Sequence, residues 1–143
     1  MILIDANVLL YAYDASSPHY RPARAWLENT ISKTESIGLS WMTLLAFIRI
    51  GTSRRPLEHP FSPSEVESIV SDWLGDPTFT MINPGERHWE ILKSLMTKGQ
   101  VHGPLIMDAH LAALAIEHGA TLATSDRDFS RFPGLRTVNP LEL

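Results

Sequence analysis

Met1-Ile2-Leu3-Ile4-Asp5, read together with Thr121-Leu122-Ala123-Thr124-Ser125-Asp126, decides how this chain folds. The short runs Met1–Ile4 and Thr121–Thr124 each lead into an aspartate, Asp5 after the first and Asp126 after the second. As parallel strands of one sheet they deliver both carboxylates to its carboxyl edge, where ligands sit in open α/β sheets. Asp108 opens the helix-like stretch before the second run, and Asp128 follows two residues behind Asp126. Like charges gathered at one spot disfavour each other's ionised form. A divalent cation is the most economical filler, so the pattern predicts a metal-dependent hydrolase.

Outward from these runs, strand and helix signals alternate regularly. Further strands are expected at Ile37–Ser40, Thr78–Ile82 and Arg136–Asn139, and helices at Arg21–Lys33, Trp41 to about Gly51, Ser62 to Gly75, Glu86–Lys98 and about Leu105–His118. Ser62-Pro63-Ser64-Glu65 carries a cap, a proline for the first turn and the glutamate of a capping box. The helix from Trp41 is apolar nearly all round and reads as central. In the helix ending at Lys98, Trp89, Leu92, Leu95 and Met96 are expected inward, with Gly99 as its left-handed terminator. Strands separated by helices predict an α/β fold: a three-layer αβα sandwich around a parallel sheet of about five strands, residues 1–143 forming one domain. The strand order is open at this level.

Composition narrows the class. With 44% apolar and 20% charged residues the chain is neither a disordered nor a membrane sequence. No apolar stretch approaches the roughly 20 residues that span a bilayer. The start lacks the basic segment and cleavage site of a signal peptide. Cysteine is absent, excluding disulfides and thiolate metal sites, and a cytoplasmic protein is expected. A net charge of −4 argues against passive adhesion to nucleic acid. Locally, however, Arg49, Arg54 and Arg55 cluster, Arg127, Arg131 and Arg136 flank the last aspartates, and Arg21 and Arg24 form another patch. Each cluster is also readable as solvated surface. A substrate made of phosphates would give the cations around an acidic centre a common purpose.

Taken singly, Asp108 is explicable as a first-turn helix charge, and Asp126 and Asp128 as turn formers. Asp5 is harder to excuse. It sits between Ile4 and Ala6-Asn7-Val8-Leu9-Leu10, and a buried carboxylate without a partner costs several kcal/mol. Together these hard oxygen ligands suit Mg²⁺ or Mn²⁺, with Asn7 and Ser125 placed to orient waters or carboxylates. The chemistry implied is phosphodiester hydrolysis by an in-line water. Rival chemistries lack their motifs. There is no phosphate-binding glycine loop, and an aspartyl-phosphate enzyme wants an acid where Asn7 stands. The six histidines form no H-E-x-x-H, and His110 and His118 read as surface residues.

Met1-Ile2-Leu3-Ile4-Asp5-Ala6-Asn7-Val8-Leu9-Leu10-Tyr11 resembles the opening of a PIN domain, the fold of the VapC toxins. Asp108-Ala109-His110-Leu111-Ala112-Ala113-Leu114-Ala115 and Leu122-Ala123-Thr124-Ser125-Asp126-Arg127-Asp128-Phe129 resemble the later motifs, in the family's order and spacing. The resemblance implies a Mg²⁺- or Mn²⁺-dependent endoribonuclease cutting tRNA, ribosomal RNA or mRNA. Asp5, Asp108 and Asp126 would be its metal ligands and Asp128 an auxiliary acid. It further implies a homodimer held inactive by a VapB-like antitoxin. One departure stands out: the family usually carries an acid in the helix after the second strand. Here Trp41-Met42-Thr43-Leu44-Leu45-Ala46-Phe47-Ile48-Arg49 has none, and Phe47 takes its place. Fewer negative ligands imply weaker metal binding, with Thr43 or a water as substitute.

Two other functions compete. The incomplete acidic set also suits a PIN-like scaffold that binds RNA or a protein without cutting, and the fold is shared by DNA-directed nucleases.

Overall fold

Short all-parallel strands that are apolar on both sides must be covered by helices on both faces, and the computed structural model, which describes residues 1–33 and 35–143, has that arrangement. The strands are β1 (Ile2–Ile4), β2 (Ile37–Leu39), β3 (Phe79–Met81), β4 (Thr121–Ala123) and β5 (Thr137–Val138). They pair in the order β3-β2-β1-β4-β5, every pair parallel. The chain therefore steps outward from β1 through β2 to β3, then returns to the other side of β1 for β4 and β5. That reversal puts the topological switch point between β1 and β4, and the crevice beyond their carboxyl ends is the place for a ligand.

Side-chain alternation divides the core in two. Ile4, Ile37, Leu39 and Ala123 face α1 (Ala6–Tyr13), α2 (Tyr20–Ser32), α3 (Trp41–Gly51) and α4 (Pro63–Gly75). Leu3 and Leu122 face the opposite layer, built from α5 (His88–Lys98) and α6 (Leu105–Glu117). The expected three-layer αβα sandwich and five-stranded parallel sheet are thus present. Pro22 falls in the first turn of α2, where its missing N–H costs nothing. The Ser62–Glu65 capping box of α4 forms in full, with Glu65 N–H donating to Ser62 Oγ at 3.2 Å and Ser62 N–H to Glu65 Oε1 at 3.1 Å. No described helix is long and apolar enough to cross a membrane.

Some expectations fail. The helix α1 was hidden because Ala6–Tyr13 is apolar with no polar period to mark it off from β1. Gly99 ends α5 with a right-handed φ of −81°; the left-handed residue is Gln100, at φ 51°. What Gly99 supplies is room, since a Cβ there would meet Leu95 O at 2.8 Å. Trp89 is 59% exposed rather than inward, and α3 is not central all round: Thr43, Leu44 and Phe47 are buried while Trp41 and Leu45 are more than half exposed. Nor is His110 a surface residue, because its Nδ1 lies 2.9 Å from His88 Nε2 between α5 and α6.

Candidate active site

The crevice at the switch point is built by three chain turns. Asp5 ends β1 as the cap residue of α1, but its side chain makes no capping bond. Its backbone N–H instead donates to Ala123 O at 3.0 Å, extending the ladder to β4. Its carboxylate is bound across the same gap, with Thr124 Oγ donating to Asp5 Oδ2 at 2.8 Å. Thr124, 4% exposed, also accepts from Asp126 N–H at 3.1 Å. One hydroxyl therefore couples the carboxylate at the end of β1 to the backbone at the end of β4. Thr124 was overlooked in the sequence; its signal was a hydroxyl residue closing an apolar run just before an acid.

Beyond Asp126 the chain enters a single 3₁₀ turn, Arg127–Arg131, in which Asp128 N–H donates to Asp126 Oδ1 at 2.8 Å. The turn-forming reading of this segment holds, and the same turn brings Asp128 back beside Asp126. Asp108 arrives from the first turn of α6. One oxygen each from Asp108, Asp126 and Asp128 lies within 4.8 Å of the others, and no other such group of metal-capable side chains exists among the described residues. Asp5 is not within this triad, yet its charge acts on Asp108 and it feels that of Asp126.

Electrostatics mark the cluster as strained. Burial pushes the Asp108 carboxyl up to about 6, reinforced by the charges of Asp126, Asp5 and Asp128 and opposed by Arg131. Burial also raises the Asp5 carboxyl, against bonds from Thr124 and the Ala6 N–H, with Asp126 adding to the rise. A cation of high charge density would relieve this repulsion, and closely spaced carboxylate oxygens are the donors that hard divalent ions take. The residues present fit such an ion.

The remaining predicted residues fall around this centre. A cleft of about 790 Å³ is lined by Asp5, Asn7, Thr43, Arg49, Met107 and Asp108 among others. Thr43 is buried at the cleft: its N–H donates to Ser40 Oγ and its Oγ accepts from the Ser40 hydroxyl, both at 3.1 Å, which leaves its own O–H to donate. Phe47 is fully buried and is not part of the cleft lining, its ring 4.8 Å from that of Trp73 and 5.9 Å from that of Phe61. No carboxylate on α3 replaces it, as none occurs between Glu35 and Glu58. Ser125 and Arg127 line a smaller hollow of about 270 Å³ on the β4–β5 side, where Arg127 pairs with Glu142 at 3.7 Å. Arg55 lines a second pocket beyond Asn7 and Arg49, whereas Arg54 is exposed and lines neither space. Arg24 is drawn off to Glu28 at 2.9 Å.

Residues 2–135 match the PIN domain family. The chain is 40% identical over 140 residues to Ribonuclease VapC37 of Mycobacterium tuberculosis, covering 98% of this chain and 97% of that protein. Among solved structures, VapBC2 from Rickettsia felis, bound to a DNA fragment of its promoter, superposes with a TM-score of 0.70 at 23% identity, over 97% of this chain and 98% of the other. VapC20 of M. tuberculosis, a toxin that cleaves the sarcin-ricin loop, superposes with a TM-score of 0.69 at 16% identity, over 95% and 99% of the two chains. At these identities the two superpositions speak for the fold.

Proposed function

Since the chain belongs to the PIN-domain family, in its VapC branch, we propose that it is the ribonuclease toxin of a toxin–antitoxin pair, an endoribonuclease that hydrolyses RNA phosphodiester bonds with Mg²⁺ or Mn²⁺. The observation that carries this reading is the self-repelling triad Asp108, Asp126 and Asp128 at the switch point, with Asp5 tied beside it. A divalent ion held there supplies charge neutralisation at the phosphate and a more acidic water. Asp108, Asp126 and Asp128 hold the ion, and Asp5, fixed through Thr124, adds a further oxygen donor. Asn7, exposed at the cleft, orients the attacking water or the substrate, while Ser125 lines the opposite rim. Arg49, with Arg54, Arg55 and Arg127 further out, draws in the phosphate backbone.

In the same reading residues 1–143 work as one PIN-like domain, as a cytoplasmic homodimer restrained by a VapB-like antitoxin, on tRNA, ribosomal RNA or mRNA. The scaffold alternative is not favoured: its support is Phe47 in place of an acid, and the other carboxylates are all retained. The test is to incubate the purified protein with total RNA and sequence the new 5′ ends. Discrete cleavage in Mn²⁺, abolished by chelation and by Asp126→Ala, is the expected result. Unchanged cleavage by Asp126→Ala would remove the proposed site.

A further inference from the structure

We propose that the pocket beside the acidic cleft is a subsite for the nucleobase next to the cleaved bond, and that it selects guanine through Asp14. The inference rests on reading the cleft as an RNA-cutting site and names part of what that site recognises. The pocket encloses about 510 Å³ and shares Asn7, Arg49 and Ile50 with the cleft, so the two are adjoining compartments of one surface. That volume lies in the roughly 300–1,000 Å³ range of small-ligand sites. Leu10 and Leu57, each 5% exposed, give the pocket an apolar floor suited to the face of a base.

The pocket carries charges of both signs, Arg49 and Arg55 with Asp14 and Glu58. Arg49 is shared with the cleft, and among the described residues neither arginine forms an ion pair. On the other side of the acids Arg127 is already engaged with Glu142. The free cations therefore favour a phosphate path over the Arg49 side. Asp14, at the end of α1, is held in place because its Oδ1 accepts from Ser16 N–H at 3.1 Å and from the Ser16 hydroxyl at 2.6 Å. These bonds orient the carboxylate without neutralising it. A fixed carboxylate repels phosphate and asks for N–H donors. Guanine presents two adjacent donors, N1–H and the N2 amino group, and Asp14 Oδ2, the oxygen Ser16 leaves free, has two lone pairs to accept them. Uracil presents one N–H flanked by carbonyls. Reading the Watson–Crick edge of an unstacked base is the usual route to sequence preference in single-stranded RNA.

The test measures binding, by fluorescence anisotropy in EDTA, of short oligouridylates carrying a single central guanosine, inosine or uridine. The wild-type protein should bind the guanosine oligomer about tenfold more tightly than the other two. Asp14→Asn should abolish that preference, and Arg55→Ala should weaken all three oligomers alike. Equal affinity of the wild type for the three, or a preference that survives in Asp14→Asn, overturns the proposal. Absence of Mn²⁺-dependent cleavage alongside a retained guanosine preference would instead overturn the nuclease reading alone.

Discussion

Helix α6 carries a carboxylate near each end, Asp108 in its first turn and Glu117 as its last residue, and the two are treated in opposite ways. Glu117 accepts from Gly85 N–H at 2.8 Å and from Arg87 N–H at 2.9 Å, with His88 Nδ1 3.9 Å away. Those donors, Gly85 first, pull its carboxyl below the ordinary value. Among the described residues Asp108 receives no hydrogen bond, and burial with the charges of Asp126, Asp5 and Asp128 lifts it to about 6. The helix dipole alone would order them the other way, favouring the anion at the N-terminus and penalising it at the C-terminus. Local partners outweigh the dipole at both ends. A carboxylate whose bonds are filled by its own chain holds loops in place; one left repelling its neighbours is kept for something from outside.

Substituting each end should separate these roles. The largest effect is expected from Asp108→Asn: RNA cleavage should drop more than about 100-fold, beyond the usual loss from groups that merely support a metal ligand. The metal-free protein should meanwhile gain about 1 kcal/mol of stability in denaturant unfolding, the pKa elevation being discounted for the partial exposure of Asp108. A loss of stability with cleavage unchanged would place Asp108 in the same class as Glu117. Next, Thr124→Val removes the bonds to Asp5 and Asp126 while keeping the side-chain shape; cleavage should fall about 10–100-fold, read as initial rates at saturating Mn²⁺.

Smaller is the pH effect. Because Asp108 titrates near 6 in the folded protein against 3.8 ordinarily, the native state binds more protons than the unfolded state in that window. Stability in EDTA should therefore fall as pH rises from about 4 to 6. His110, lowered by burial and by His88, works in the opposite sense just below 6.5. The difference between wild-type and Asp108→Asn curves isolates the aspartate: the curves should converge near pH 4, separate between about 4 and 6 and run parallel above that, and Mn²⁺ should close the gap. The least effect is expected of Glu117→Gln, which keeps an acceptor for one of the two N–H groups, Gly85 or Arg87, and sets its amide NH2 against the other. Its Tm should fall modestly, with Mn²⁺ affinity measured by calorimetry unchanged.

Much of this contrast was legible in the chain itself. Asp5, Asp108, Asp126 and Asp128 were marked by where they stand relative to apolar runs, and the five strands were found within a residue or two of their observed limits. Phe47 was singled out as standing where an acid is usual in the family it resembles, but that its ring joins Trp73 and Phe61 was not readable, because the partners come from α4 and the loop before it. Glu117 and His88 gave no signal: their partners lie 32 and 22 residues away in sequence. The exposure of Trp41, Leu45 and Trp89 was equally hidden, since apolar residues are placed inside or outside by the faces they meet, not by type alone.

Local chemistry in the sequence determined that this is a parallel α/β protein with acids at its strand ends, because strand and helix periodicity and charge spacing are properties of neighbouring residues. The strand order, and with it the switch point between β1 and β4, was decided only by tertiary packing. So was the choice of which acids become close neighbours: Asp108, Asp126 and Asp128 converge, while Asp5 is taken up by Thr124, a residue 119 positions away. Such pairings depend on distances through space that no local pattern encodes.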